Sequence, residues 1–105
     1  TKNIISKEVA DSVFDFLLKV VEEENGTGHG AYIEGKIIAG KTGTAEVPSS
    51  NDPSELEELG WFVAMDKSEQ TPYITSMMIE DVKDRGGSRL AIERVREFIM
   101  EYSND

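Results

Sequence analysis

Residues 59–66 (LGWFVAMD) and 73–81 (YITSMMIED) constrain this chain most, because both are strand-like and neither has a polar face. They are rich in aromatic and β-branched residues and too short to be core helices. Successive side chains of a strand point to opposite sides of its sheet. Trp61, Val63 and Met65 therefore share one face, and Phe62 and Ala64 share the other. In the next run Tyr73, Thr75, Met77 and Ile79 alternate with Ile74, Ser76 and Met78, again apolar on both sides. A sheet with two apolar faces is one that is covered on both. Residues 37–46 supply a third strand, and the short polar connection containing Pro72 points to an antiparallel hairpin.

Helical periodicity brackets these strands. Over residues 7–24, Val9, Val13, Leu17 and Val21 recur at four-residue steps, with Ala10, Phe14 and Leu18 beside them. Ser6 is placed to cap the first turn, residues 2–5 read as a lead-in, and Asn25-Gly26 suits a left-handed stop. Residues 88–102 form a closing helix with Ala91, Val95, Phe98, Ile99 and Tyr102 on one stripe. The glycine-rich stretch 25–30 reads as a connector, with a short extended piece at 32–34. Residues 47–58, with Pro48, Pro53 and several acids, read as an exposed loop, and 84–88 as a turn. The order predicts an α+β fold: an antiparallel sheet of about three strands with the amino- and carboxy-terminal helices on one face. Two helices cover one face only. Residues 1–105 are then a single partial domain, the second face awaits something outside this chain, and the isolated piece should self-associate to hide it.

Charge and composition exclude several functions. With 11 Lys and Arg against 21 Asp and Glu, the net charge of -10 opposes broad attraction to nucleic acid or an anionic membrane. No apolar run approaches the roughly 18 residues of a membrane span, and no basic stretch followed by an apolar one marks a signal peptide. The chain has no Cys, hence no disulfide, thiol nucleophile or Cys-based zinc site. Its one histidine, His29, sits in the glycine-rich connector, where it should be exposed. It has no partners for a metal set, so neither metal nor cofactor is expected. The glycines at 26, 28 and 30 follow a helix and lack the spacing of a phosphate loop. Met77 and Met78, on opposite faces, read as packing residues, and Trp61 as a core residue.

The chemistry concentrates in Ala39-Gly40-Lys41-Thr42-Gly43-Thr44-Ala45-Glu46. On a strand at the edge of a site, the alternate hydroxyls of Thr42 and Thr44 point the same way and can hold a carboxylate. Gly43 between them lets a substrate approach the backbone. A backbone N–H beyond that glycine can donate to a developing oxyanion. The Lys41 ammonium adds positive potential for an anionic substrate.

This stretch resembles the third signature motif of penicillin-binding proteins, in the form typical of class B high-molecular-weight transpeptidases. The surroundings fit: Gly26-Thr27-Gly28 and Gly30-Ala31-Tyr32 resemble the family's glycine-rich connector, Gly60-Trp61-Phe62-Val63-Ala64 its next strand, and residues 84–88 its closing turn. The resemblance implies a partial transpeptidase fold, related to that of serine β-lactamases. It implies that Lys41 organises the serine of a middle motif and the substrate carboxylate. Thr42 and Thr44 would bind the carboxylate of a peptidoglycan stem peptide or a β-lactam, Gly43 would keep the edge open, and the Thr44 N–H would be half of the oxyanion hole. It places the parent protein at the extracytoplasmic face of a bacterial membrane. The family's Ser-x-x-Lys nucleophile motif has no match in this chain. Its Ser-x-Asn motif matches only Ser49-Ser50-Asn51, on the wrong side of Lys-Thr-Gly. Acyl transfer without the serine has no covalent pathway, so the chain should be inactive alone. The alternative is a stand-alone, non-catalytic binding module of the same fold.

Overall fold

The computed structural model describes residues 3–68 and 72–102. The chain runs through helix α1 (Lys7–Glu22), a 3-10 turn (His29–Ala31), strands β1 (Ile38–Pro48), β2 (Leu56–Asp66) and β3 (Tyr73–Ile79), and helix α2 (Arg89–Tyr102). The expected α+β order and antiparallel sheet are present, with strand order β1-β2-β3. The connection expected around Pro72 includes residues 69–71, which lie outside the described residues, as does Lys2 of the lead-in.

Ser6 caps α1 as its sequence position predicts, its hydroxyl accepting from the Val9 N–H at 3.1 Å. The other end differs from expectation. The helix stops at Glu22, and Glu23 is extended at φ -78 and ψ 139 rather than leading into a left-handed Asn25-Gly26. The Glu23 N–H closes on the Lys19 carbonyl and the Gly28 N–H on that of Val20, so the last carbonyls are satisfied without a left-handed residue. Residues 32–34 form no strand. The 3-10 turn instead buries Ala31 and packs Ile33 against the core.

The strands β1 and β2 run further than the sequence suggests. Their register continues from Ile38 opposite Asp66 to Pro48 opposite Leu56, which leaves only residues 49–55 as a loop. Ladder pairing satisfies backbone groups whatever the side-chain polarity, so the acidic residues Glu46, Glu57 and Glu58 do not end the ribbon. Asp52 shapes the tip by accepting from the Ser54 N–H at 3.0 Å.

The core lies on one face of the sheet. Ile38, Phe62 and Ala64 meet Ala91, Ile92, Val95 and Ile99 of α2, with Val21 of α1 and Ala31. Only the carboxy-terminal end of α1 joins α2 on this face; its earlier residues Val13 and Phe14 line a hollow with Met65 and Lys67 on the opposite side, so the two helices are not confined to one face as expected. On the other face Val63, Ile74 and Met78 are exposed, and Trp61 and Met65 are half-buried. The α1 stripe is partly uncovered: Val21 is buried and Phe14, Leu17 and Leu18 are half-buried, but Val9 and Val13 are exposed. Of the α2 stripe, Phe98 is exposed and Tyr102 half-buried. No helix among the described residues is long and apolar enough to cross a membrane.

Candidate functional site

Among the described residues β1 pairs with β2 alone, so no strand bonds its outer edge, although α1 packs against the buried start of the strand. In an antiparallel ladder the N–H and C=O of one residue turn to the same side, and the side alternates along the strand. Two bonds fix that alternation here. The Lys67 N–H donates to the Ile37 carbonyl and the Ser49 N–H to the Glu55 carbonyl, both at 2.9 Å. The register between them is unbroken, so odd-numbered residues of β1 bond to β2. Gly40, Thr42, Thr44 and Glu46 therefore turn their amides and carbonyls to the free edge.

Register also sets the side chains. Thr42 opposes Phe62 and Thr44 opposes Gly60, so both hydroxyls lie on the Phe62 side of the sheet. Lys41 opposes Val63 and Gly43 opposes Trp61, on the other side. Thr44 and Lys41 are exposed and Thr42 is half-buried. The Lys41 ammonium curls over the margin and donates to the outward carbonyl of Thr42 at 2.9 Å. Two hydroxyls, one ammonium and the edge amide of Thr44 thus surround a single stretch of sheet margin. Lys41 is the one cation between Ile38 and Asp66, a span that holds six carboxylates. Positive potential on this ribbon is confined to the motif.

Two aromatic side chains of β2 hold this stretch from opposite faces. A Cβ placed on Gly40 would lie 2.4 Å from Cζ of Phe62, on the core side. A Cβ placed on Gly43 would lie 1.7 Å from Nε1 of Trp61, on the open side. Both glycines are thus needed for close approach, and each is covered by a cross-strand ring. Trp61 is accordingly not a core residue. It is a half-buried lid on Gly43, and only the pairing register, which sequence reading had not fixed, reveals this. Met77 packs against the core and Met78 is exposed.

One polar residue departs from expectation and another is announced by no local pattern. His29 is half-buried rather than exposed: its Nδ1–H donates to the Val21 carbonyl at 2.8 Å, and its ring stacks on Tyr32. Asp66 is buried at the end of β2 and accepts from the Ser68 N–H at 2.9 Å, the Ser68 hydroxyl and the Tyr102 hydroxyl at 2.7 Å, with the Lys36 ammonium 4.0 Å away. Burial alone would raise its pKa. The bonds from Ser68 and Tyr102, with the Lys36 charge, outweigh burial and hold the carboxyl below its usual value. It ties the end of α2 to the sheet, away from the motif. Among the described residues no three His, Cys, Asp or Glu side chains gather as metal ligands.

An antiparallel sheet with two helices, carrying Lys-Thr-Gly-Thr on its outer margin, fits the penicillin-binding family that the motif resembles. The family comparison agrees: the penicillin-binding protein transpeptidase domain matches residues 1–100, and the chain belongs to that family. Penicillin-binding protein 3 of Bacillus subtilis (strain 168) is 40% identical over 96 residues, which cover 91% of this chain and 14% of that protein. A crystal structure of a protein from Atopobium parvulum DSM 20469 shares the fold with a TM-score of 0.79 at 23% identity. The match covers 98% of this chain and 24% of that one, so the chain spans a small part of each relative.

Proposed function

We propose that this chain is the carboxy-terminal part of a peptidoglycan D,D-transpeptidase, which cross-links stem peptides and binds β-lactams through an acyl-enzyme. The observation that carries the reading is the outward turn of Thr42 and Thr44 at an unpaired edge. An extended peptide or β-lactam can lie along that edge as an added strand. Its carboxylate then meets the two hydroxyls and the Lys41 ammonium, and its carbonyl oxygen meets the Thr44 N–H as negative charge develops. The chain supplies this wall of the site and no nucleophile. The serine and its activating lysine belong to the remainder of the domain, which also covers the second face of the sheet. Without that remainder the chain is inactive and self-associates through its exposed apolar side chains. Peptidoglycan as substrate places the working enzyme on the extracytoplasmic side of the cell membrane.

A fluorescent penicillin tests this directly. The longer protein should take a covalent label that survives denaturation, and this chain alone should take none. Stable labelling of the chain by itself would overturn the divided site, and an unlabelled longer protein would overturn the transpeptidase reading.

A further inference from the structure

Resting on that reading of the β1 edge, we infer that Trp61 is a positioning residue for acyl transfer, holding the Thr42–Thr44 stretch at the angle the reaction needs. Gly43 is the weak point of this stretch. It lies between the two residues whose backbone and hydroxyl groups face the free edge, and glycine alone fixes little of its own φ and ψ. Its amide and carbonyl are tied to β2 opposite Trp61. Its missing side chain leaves a space that the Trp61 indole fills, since a Cβ there would lie within 2.5 Å of three indole atoms. Three residues earlier, Phe62 closes on Gly40 from the opposite face. The segment from Gly40 to Gly43 is therefore gripped between two rings, one on each side of the sheet.

The two grips differ in what else they do. Phe62 is fully buried in the core, so its loss should destabilise the whole fold. Trp61 lies on the open face outside the core cluster, so its ring can be removed with the core left in place. What its removal changes is the freedom of Gly43, and with it the direction of the Thr44 N–H relative to the two hydroxyls. Displacement of a reacting group by about 1 Å can lower a rate roughly 100-fold.

The test is the acylation of the longer protein by a fluorescent penicillin, followed as a second-order rate constant together with the final labelled fraction. Trp61→Ala should slow acylation by about 30-fold and still reach the wild-type labelled fraction. A merely structural role would lower that fraction and leave the rate of the folded molecules unchanged. Trp61→Phe keeps a ring over the glycine and should stay within about 3-fold of wild type. Gly43→Ala should nearly abolish labelling, and adding Trp61→Ala to it should restore part of the rate by removing the clash. If Trp61→Ala does not fold, Trp61→Leu, which fills the open face but leaves Gly43 bare, takes its place with the same expected slowing. Wild-type kinetics in the Ala or Leu variant, or no relief of Gly43→Ala by the second substitution, would overturn the assignment. Absence of label on the wild-type protein would instead overturn the transpeptidase reading beneath it.

Discussion

The helices α1 and α2 are both amphipathic, yet one is buried along its stripe and the other is not. Ala91, Ile92, Val95 and Ile99 of α2 are sealed against β2 and β3, while α1 buries Val21, half-buries Leu17 and leaves Val9 and Val13 exposed. The difference follows from where each helix lies. The helix α2 rests on the central strand and one neighbour, whereas α1 rests on β1, the margin of the sheet, and has sheet beneath one side only. An apolar stripe reports that a helix has a face suited to burial. It does not say that this stretch of chain does the covering.

The sharpest way to break that contrast is Phe62→Ala. The ring is fully buried between β1 and α2, and its loss should cost about 4 kcal/mol, enough to unfold much of the population. A retained cooperative melt near the wild-type temperature by circular dichroism would mean that the α2 side is not the core.

Asp66→Asn should cost less, about 2 kcal/mol, by weakening the tie between β2 and Tyr102. Its pH signature has a definite sign. The folded carboxyl titrates below its ordinary value of 3.8, so the unfolded chain binds the proton more readily. The stabilisation is fully present above 3.8 and is lost as pH falls through that value towards the lower folded one. Urea melts over this acid range should show a steeper loss for wild type than for Asp66→Asn. Parallel curves would refute the tie.

The smallest effect belongs to α1. Val13→Ser should change the stability of this chain by less than about 0.5 kcal/mol, because Val13 is exposed here. In the longer protein the same substitution should cost more, and equal small effects in both would show that nothing covers this stripe.

Much of this was legible beforehand. Apolar alternation around Phe62 and the helical steps through Val95 and Ile99 read correctly, since burial dictates both periods. The Ser6 cap was equally plain. Reading failed where a long-range partner decides the outcome. Val9 and Val13 carry a core-facing pattern and are nevertheless exposed, and Trp61 looks like core until the register sets it over Gly43. Glu57 and Glu58 look like loop because ribbon pairing is indifferent to their charge. Asp66 is buried by a bond to distant Tyr102 and His29 is half-buried by its bond to Val21, and no local pattern announces either. The motif was recognisable as chemistry. That its even-numbered amides turn outward required the hydrogen bonds at Ile37 and Ser49.

That even–odd alternation also governs where this ribbon can gain or lose length. Dropping or adding one residue between Ile38 and Gly43 would reverse the phase of everything after it, turning the Thr44 N–H into the sheet and its hydroxyl to the opposite face. A change of the same size within residues 49–55 alters only the tip, since the ladder on either side keeps its count. Insertions and deletions are thus free to accumulate at the far end of the hairpin, while the first six positions of β1 are fixed in number as well as in kind.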